Sequence, residues 1–161
     1  TMKRILTGIA LTALLFGCGE KKETKKDGFE MNRSNKEEAK TATASQGVPV
    51  DLNNKGIGPI TSVSFDEAID MDLAKAGETK YQMICTACHM IGQRMIGPDL
   101  TGVYERRSPE WVMNMILNPD GMLKEDPIAK ALLKEYNGAI MLNQNLSEED
   151  ARALAEYLRT L

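Results

Sequence analysis

The chain has 161 residues, of which 42% are hydrophobic and 27% charged, and its formal net charge is -3. This length allows one domain, or one domain with a tail, and the balanced composition excludes a collagen-like or low-complexity chain and predicts no nucleic-acid binding. The single histidine, His89, excludes histidine-rich metal sites, and three cysteines are too few for a disulfide scaffold. The charge is uneven, because residues 66–161 hold 10 basic against 16 acidic side chains.

The first 17 residues have the pattern of a signal peptide. Lys3 and Arg4 precede an apolar run of about a dozen residues, which is too short to span a bilayer comfortably. The run ends in Leu-Phe-Gly-Cys at 15–18, which resembles the lipobox of bacterial lipoproteins. That resemblance implies lipidation of Cys18 and a location in the bacterial cell envelope, on the periplasmic side of a membrane. The alternative is a buried anchor helix with an incidental cysteine.

Residues 18–46 are predicted to form a disordered tether. They are rich in Lys, Glu, Thr, Asn and Ser and hold almost no apolar side chains, so they cannot bury enough surface to offset their chain entropy. Apolar residues return at 47, and the Gly and Pro residues of 56–59 prevent a long regular element. We therefore predict an extended arm over 47–65, which either packs on the following domain or stays free.

The pattern of residues 66–161 is that of an all-α domain. Apolar residues recur at helical spacing from Asp72 to Cys85, with Ala76 and Gly77 on the inner side. Capping and breaking residues predict three further helices: one between Ser108 and Asn118, one between Asp126 and Asn137, and one after Ser147.

The strongest motif is Cys-Thr-Ala-Cys-His at 85–89, the spacing that attaches a c-type haem. Two thiols three positions apart on a turning backbone can each add to one vinyl group at a haem edge, and the next residue then lies under the iron. A thioredoxin-like pair would need a preceding strand, a zinc site would need more ligands, and a disulfide has no use for the histidine. The motif predicts one haem c bound covalently by Cys85 and Cys88, with His89 as the proximal iron ligand.

Over about residues 66–161 the chain resembles the class I (mitochondrial-type) cytochromes c. Besides the motif, Gly77 and Tyr81 on the first helix and Leu154 and Tyr157 on the last have the spacing at which these two helices cross in that family. The resemblance implies a small all-α fold of about four to five helices around one covalent haem, preceded by the disordered tether.

The resemblance extends to Gly-Pro-Asp-Leu at 97–100. It implies that the Pro98 carbonyl accepts a hydrogen bond from the proximal histidine and that Leu100 packs on the haem. Arg106, Arg107 and Trp111 are candidates to contact the haem propionates, which need cationic or N–H partners if they are buried. The alternative, two solvated arginines and a tryptophan in the core, stays open.

Class I cytochromes place a methionine on the haem face opposite the histidine, and its soft sulfur favours reduced iron and raises the potential. Most of the ten methionines precede or closely follow the motif, or lie on the helix after Ser108, where Met115 is assigned to the core. The family places its ligand in the loop before the last helix, which is the position of Met141. Met141 is therefore the predicted distal ligand, and Met122 is the alternative.

Two protein ligands on the iron leave no open position, so we predict an electron carrier rather than an enzyme, with no small-molecule substrate. The layout is similar to that of lipid-anchored monohaem cytochromes that donate to periplasmic reductases, such as nitrous oxide reductase, or to terminal oxidases. Because the domain is acidic, the redox partners in this respiratory chain are predicted to present a basic docking patch. The alternatives are a haem enzyme or gas sensor with an open sixth position, and an assembly subunit.

Overall fold

The computed structural model describes residues 47–161. The predicted signal peptide (1–17), the predicted lipidation site Cys18 and the predicted tether (18–46) lie outside the described residues. Within 47–161 the chain forms five α-helices and no strands, together with a short 3₁₀ helix at Val103–Glu105. The α-helices are α1 (Met71–Ile84), α2 (Pro109–Leu117), α3 (Pro119–Glu125), α4 (Pro127–Glu135) and α5 (Glu148–Leu158). The predicted all-α fold is confirmed. None of the described helices is both long enough and apolar enough to cross a membrane.

The helix starts are set by side chains that accept N–H groups of the first turn. Ser108 Oγ accepts from Trp111 N at 3.0 Å, Asp126 Oδ1 from Ala129 N at 2.8 Å, and Ser147 Oγ from Asp150 N at 3.1 Å. Each bond satisfies a donor that has no partner within its helix. The capping residues in the sequence therefore predict α2, α4 and α5 closely.

The sequence pattern misses α3. Asn118 ends α2 and also caps α3, where its Oδ1 accepts from Gly121 N at 3.3 Å. Two helices therefore share one boundary residue, and Asn118 followed by Pro119 indicates only the end of the first. The seven residues of α3 are too few to show a helical period.

Helices α1 and α5 cross at Gly77, as predicted. A Cβ at Gly77 would lie 2.0 Å from the carbonyl oxygen of Ala153, so the two backbones are in direct contact. One turn further on, the rings of Tyr81 and Tyr157 are 5.3 Å apart between centroids. Ala76, which was expected on the inner side, is exposed. The crossing fixes the end of α1, and with it the start of the Cys-X-X-Cys-His motif.

Gly77→Ala is expected to lower the free energy of unfolding by about 3 kcal/mol, because the new methyl group meets backbone that has no rotamer to change. On an isolated helix the same change would stabilise by about 1 kcal/mol, so the expected sign is opposite to that of helix propensity. Denaturant unfolding of the holoprotein measures the effect. The control is Ala76→Met, which adds atoms at an exposed neighbouring position and should change stability by less than about 0.5 kcal/mol.

The arm, residues 47–65, forms no helix, and side chains of the helical domain bind its backbone. The clearest case is Asn114 of α2, which is 1% exposed. Its Nδ2 donates to the carbonyls of Lys55 and Ile60, and its Oδ1 accepts from Ile60 N at 2.9 Å. Further along, Val63 N donates to Glu110 Oε1 at 3.2 Å. The arm therefore lies against the domain, and buried polar groups of α2 depend on it for their hydrogen bonds.

Candidate functional site

The two cysteines and the histidine of the motif project from one tight turn after α1. Cys88 N and His89 N both donate to the Cys85 carbonyl, at 3.1 and 2.9 Å. Cys85 is partly buried and Cys88 is exposed. Burial, and to a lesser extent Cys88, raises the pKa of the Cys85 thiol to about 11. The free thiol is therefore neutral at ordinary pH, which suits contact with an apolar group.

The imidazole of His89 is held in one orientation from two sides. Its Nδ1 lies 2.9 Å from the Pro98 carbonyl oxygen. Because a carbonyl can only accept, Nδ1 carries the proton and Nε2 is left free to bind a metal. On the other side, a Cβ at Gly97 would lie 2.5 Å from His89 Cε1, so this position needs a glycine. The family resemblance implied the Pro98 bond, and the structure shows this geometry.

A cavity of about 250 Å³ opens beside the motif, with walls that are mainly apolar. It brings together six of the residues predicted for the site: Cys85, Cys88, His89, Pro98, Leu100 and Met141. The alternative distal ligand, Met122, does not line this cavity. Met122 is fully buried, and its sulfur accepts a hydrogen bond from Ile57 N at 2.9 Å.

Four cavity-lining residues, two of them arginines, were missed or left undecided by sequence reasoning. Met115, which we assigned to the core, does pack against the main core, but it also lines the cavity. A usable signal was its spacing of four from Trp111, which places both side chains on one face of α2. Trp111 lines the cavity as well, and its Nε1 donates to Asp126 Oδ1 at 3.0 Å.

Two arginines line the same cavity and differ in what they bind. Arg106 donates to the carbonyls of residues 99, 101 and 102, so it holds the turn that follows Pro98. Arg107 is 6% exposed and makes no ion pair with a carboxylate of residues 47–161. Burial, and then Arg106, lowers the pKa of Arg107, but a guanidinium still keeps its charge. The site therefore contains a buried cation without an anionic partner among these residues.

These residues fit a covalently bound haem. The cavity has two thiols at its edge, one imidazole with a free nitrogen, apolar walls, and a buried guanidinium suited to a propionate carboxylate. Cys85 and Cys88 would hold the haem edge, His89 the iron, and Arg107 the carboxylate end. When bound, the haem supplies an iron that alternates between the ferrous and ferric states.

The comparisons with known proteins agree with this fit. The family model for cytochrome c matches residues 74–161, which is more than half of the chain. The chain therefore belongs to the cytochrome c family, whose members bind an iron-containing haem c covalently through two cysteines and whose natural members act as electron carriers. The predicted cofactor and cytochrome c fold are confirmed, and the protein's general activity is electron transfer.

Two of the similar solved structures are a cytochrome c from Rhodothermus marinus and an engineered form of it. Cytochrome c from Rhodothermus marinus is 48% identical to this chain, and the match has a TM-score of 0.62 and covers 64% of this chain and 88% of that one. An engineered form of it, bound to a carbene intermediate, is also 48% identical, with a TM-score of 0.59 and the same coverage of both chains. No curated protein matches the chain.

Proposed function

We propose that this protein is a membrane-anchored electron carrier of a bacterial respiratory chain, with its haem iron bound by His89 and Met141. The observation that carries the proposal is the cavity, whose lining contains both residues. With His89 and Met141 both bound to the iron, no position would remain open for a substrate. The protein's remaining task is to exchange single electrons with its partners.

The positions of three methionines support Met141 as the distal ligand. Met122 is buried away from the cavity, and its sulfur already accepts an N–H. Met115 lines the cavity but is fixed on the rigid helix α2. Met141 lies in the stretch between α4 and α5, where the backbone forms no helical hydrogen bonds. The backbone there can therefore adjust so that the sulfur reaches the iron. This is also the position at which the class I cytochromes place their ligand.

Reoxidation of the ferrous protein by membranes of its own bacterium, supplemented with the periplasmic fraction, tests the respiratory role. We expect oxidation that requires either oxygen or nitrous oxide, and the effective acceptor distinguishes a terminal oxidase from a periplasmic reductase. Failure with both acceptors would contradict the proposal. The alternative, an enzyme or gas sensor, requires an open sixth position and therefore predicts that the ferrous wild-type protein binds carbon monoxide fast.

We also propose that a lipid on Cys18 anchors the protein to a membrane, with the haem domain in the periplasm. Cys18→Ser is expected to move the protein from the membrane fraction to the soluble fraction, or to block processing of residues 1–17. Immunoblotting of the two fractions measures this, and the haem spectrum should not change. The matched control is Gly19→Ser, which leaves the cysteine in place. Retention of the Cys18→Ser variant, fully processed, in the membrane fraction would contradict the lipid anchor.

The docked arm shortens the reach of the anchor. Because residues 47–65 lie on the domain, the predicted tether would supply at most the roughly 28 residues between Cys18 and Gly47, and a flexible coil of that length would span about 26–32 Å. This distance is comparable to the diameter of a small protein. It allows the haem domain to contact two membrane-bound partners in turn.

The proposed partners are redox proteins with a basic docking patch. Residues 66–161 hold 10 basic and 16 acidic side chains, so the domain attracts a cationic surface. The rate of electron transfer to the true partner should therefore fall as ionic strength rises from 0.01 M to 0.15 M, over which the Debye length shrinks from about 30 Å to about 8 Å. Stopped-flow oxidation of the ferrous protein measures the rate. A flat or rising salt profile would contradict a basic patch on the partner.

A further inference from the structure

The first residues of the arm contact Arg107, which lines the haem cavity beside Trp111. Arg107 donates from one nitrogen to the Pro49 carbonyl at 2.7 Å and to the Arg106 carbonyl at 2.6 Å. Asp51 N also donates to the Arg106 carbonyl, at 3.2 Å. Val48 packs against the main hydrophobic core. The arm therefore touches the cationic wall of the cavity directly.

Trp111 links the same wall to the rest of the arm. The Arg107 guanidinium lies 5.3 Å from the centre of the Trp111 ring, which is an attractive cation–π geometry. The indole donates to Asp126 Oδ1, while Asp126 Oδ2 accepts from Asn54 Nδ2 at 2.6 Å. The arm, the Asp126 carboxylate, the Trp111 indole and the Arg107 guanidinium thus form one connected set of contacts.

The position of this guanidinium matters because it is buried and has no carboxylate partner among residues 47–161. In a low-dielectric interior, a positive charge near the iron destabilises the ferric state, which carries one more positive charge than the ferrous state. The same charge offsets the carboxylates of the haem. Its effect depends on distance, and the Pro49 carbonyl is one of its two direct hydrogen-bond acceptors.

We propose that Val48 and Pro49 of the arm are part of the haem site, because they hold Arg107 against the cavity and thereby raise the reduction potential. Pro49 is a positioning residue, which acts through Arg107 and not on the haem itself. The arm lies before residue 74, where the match to the cytochrome c family begins. The stretch that leads toward the predicted membrane anchor is thus coupled to the redox equilibrium of the domain.

A double-mutant cycle on the midpoint potential of the full-length holoprotein tests this. Arg107→Leu removes the charge and should lower the equilibrium constant for reduction about tenfold, which is a fall of about 59 mV for one electron. Val48→Gly removes the apolar anchor beside Pro49 without changing any charge, and should lower the same constant at least threefold. If the arm acts through Arg107, the double variant should have the potential of Arg107→Leu alone.

The matched control is Val50→Gly, two positions further along the arm. It makes the same change in side chain and backbone freedom, but Val50 is 63% exposed, so the potential should stay at the wild-type value. If Val48→Gly gives no folded holoprotein, Gly58→Val replaces it. A Cβ at Gly58 would lie 2.3 Å from Asn114 Oδ1, so a valine there pushes the arm from its main attachment, again without a charge change.

Three results would overturn the proposal. The first is an unchanged potential in Arg107→Leu, and the second is an unchanged potential in a folded arm variant. The third is strict additivity in the cycle, which would show that the arm and the arginine act independently. A merely structural role of the arm would lower the unfolding midpoint of Val48→Gly and leave its potential at the wild-type value.

Discussion

Replacing both Cys85 and Cys88 with serine is expected to abolish covalent haem and to leave an unfolded or degraded chain. Aromatic residues make up 5% of the sequence, and the cavity lined by the motif and Met141 has mainly apolar walls. Without the haem these apolar walls have no partner, and the remaining core is small. Haem staining of the denatured protein measures attachment, while circular dichroism and protein yield measure folding.

The control for the double cysteine variant is Ala87→Ser, which adds a hydroxyl at an exposed position between the two thiols. It should bind haem normally and fold. A stable, folded apoprotein from the double variant would show that the polypeptide builds its own core, which contradicts the role assigned to the haem.

Met141→Ala is expected to have the largest effect on electron transfer. Loss of the thioether opens the sixth position, so the reduction potential should fall and the ferrous protein should bind carbon monoxide readily. The weak red-end absorption that a methionine ligand gives to ferric haem should vanish. A redox titration and the two absorption spectra measure these changes.

Two matched variants test whether Met141 is the distal ligand of the iron. Met122→Ala should leave both spectra unchanged and cost about 2–5 kcal/mol of stability, because the side chain is fully buried. Met115→Ala removes a sulfur from the cavity wall and should keep the red-end absorption. Loss of that absorption in either variant, with Met141→Ala unaffected, would move the ligand to that residue.

The sequence was sufficient for the parts of the site that are local. The thiols and the imidazole lie within five consecutive residues, so their chemistry and spacing are readable without a fold. The starts of α2, α4 and α5 depend on one capping side chain and the next three residues, which is also local. The placement of Pro98 and Met141 required a resemblance to a family, because nothing within the loop around Met141 indicates what it faces.

The features that the sequence did not predict depend on contacts between distant residues. Met115 was assigned to the core because the sequence shows that α2 has an apolar face. The sequence does not show whether that face packs on other side chains or lines a cavity. Arg107 was left between a solvated and a buried role, since its acceptor, the Pro49 carbonyl, is 58 residues away. The role of Asn114 could not be predicted for the same reason, because the hydrogen-bond partners of its side chain all lie in the arm.

The ferric absorption spectrum of the wild-type holoprotein is the most direct test of the central claim, which is that His89 and Met141 would both bind the iron of a haem that only carries electrons. The account predicts a weak absorption at the red end of the spectrum, which is lost in Met141→Ala, and little carbon monoxide binding by the reduced wild-type protein. A wild-type spectrum without that absorption, together with fast carbon monoxide binding, would show an open haem and contradict the account.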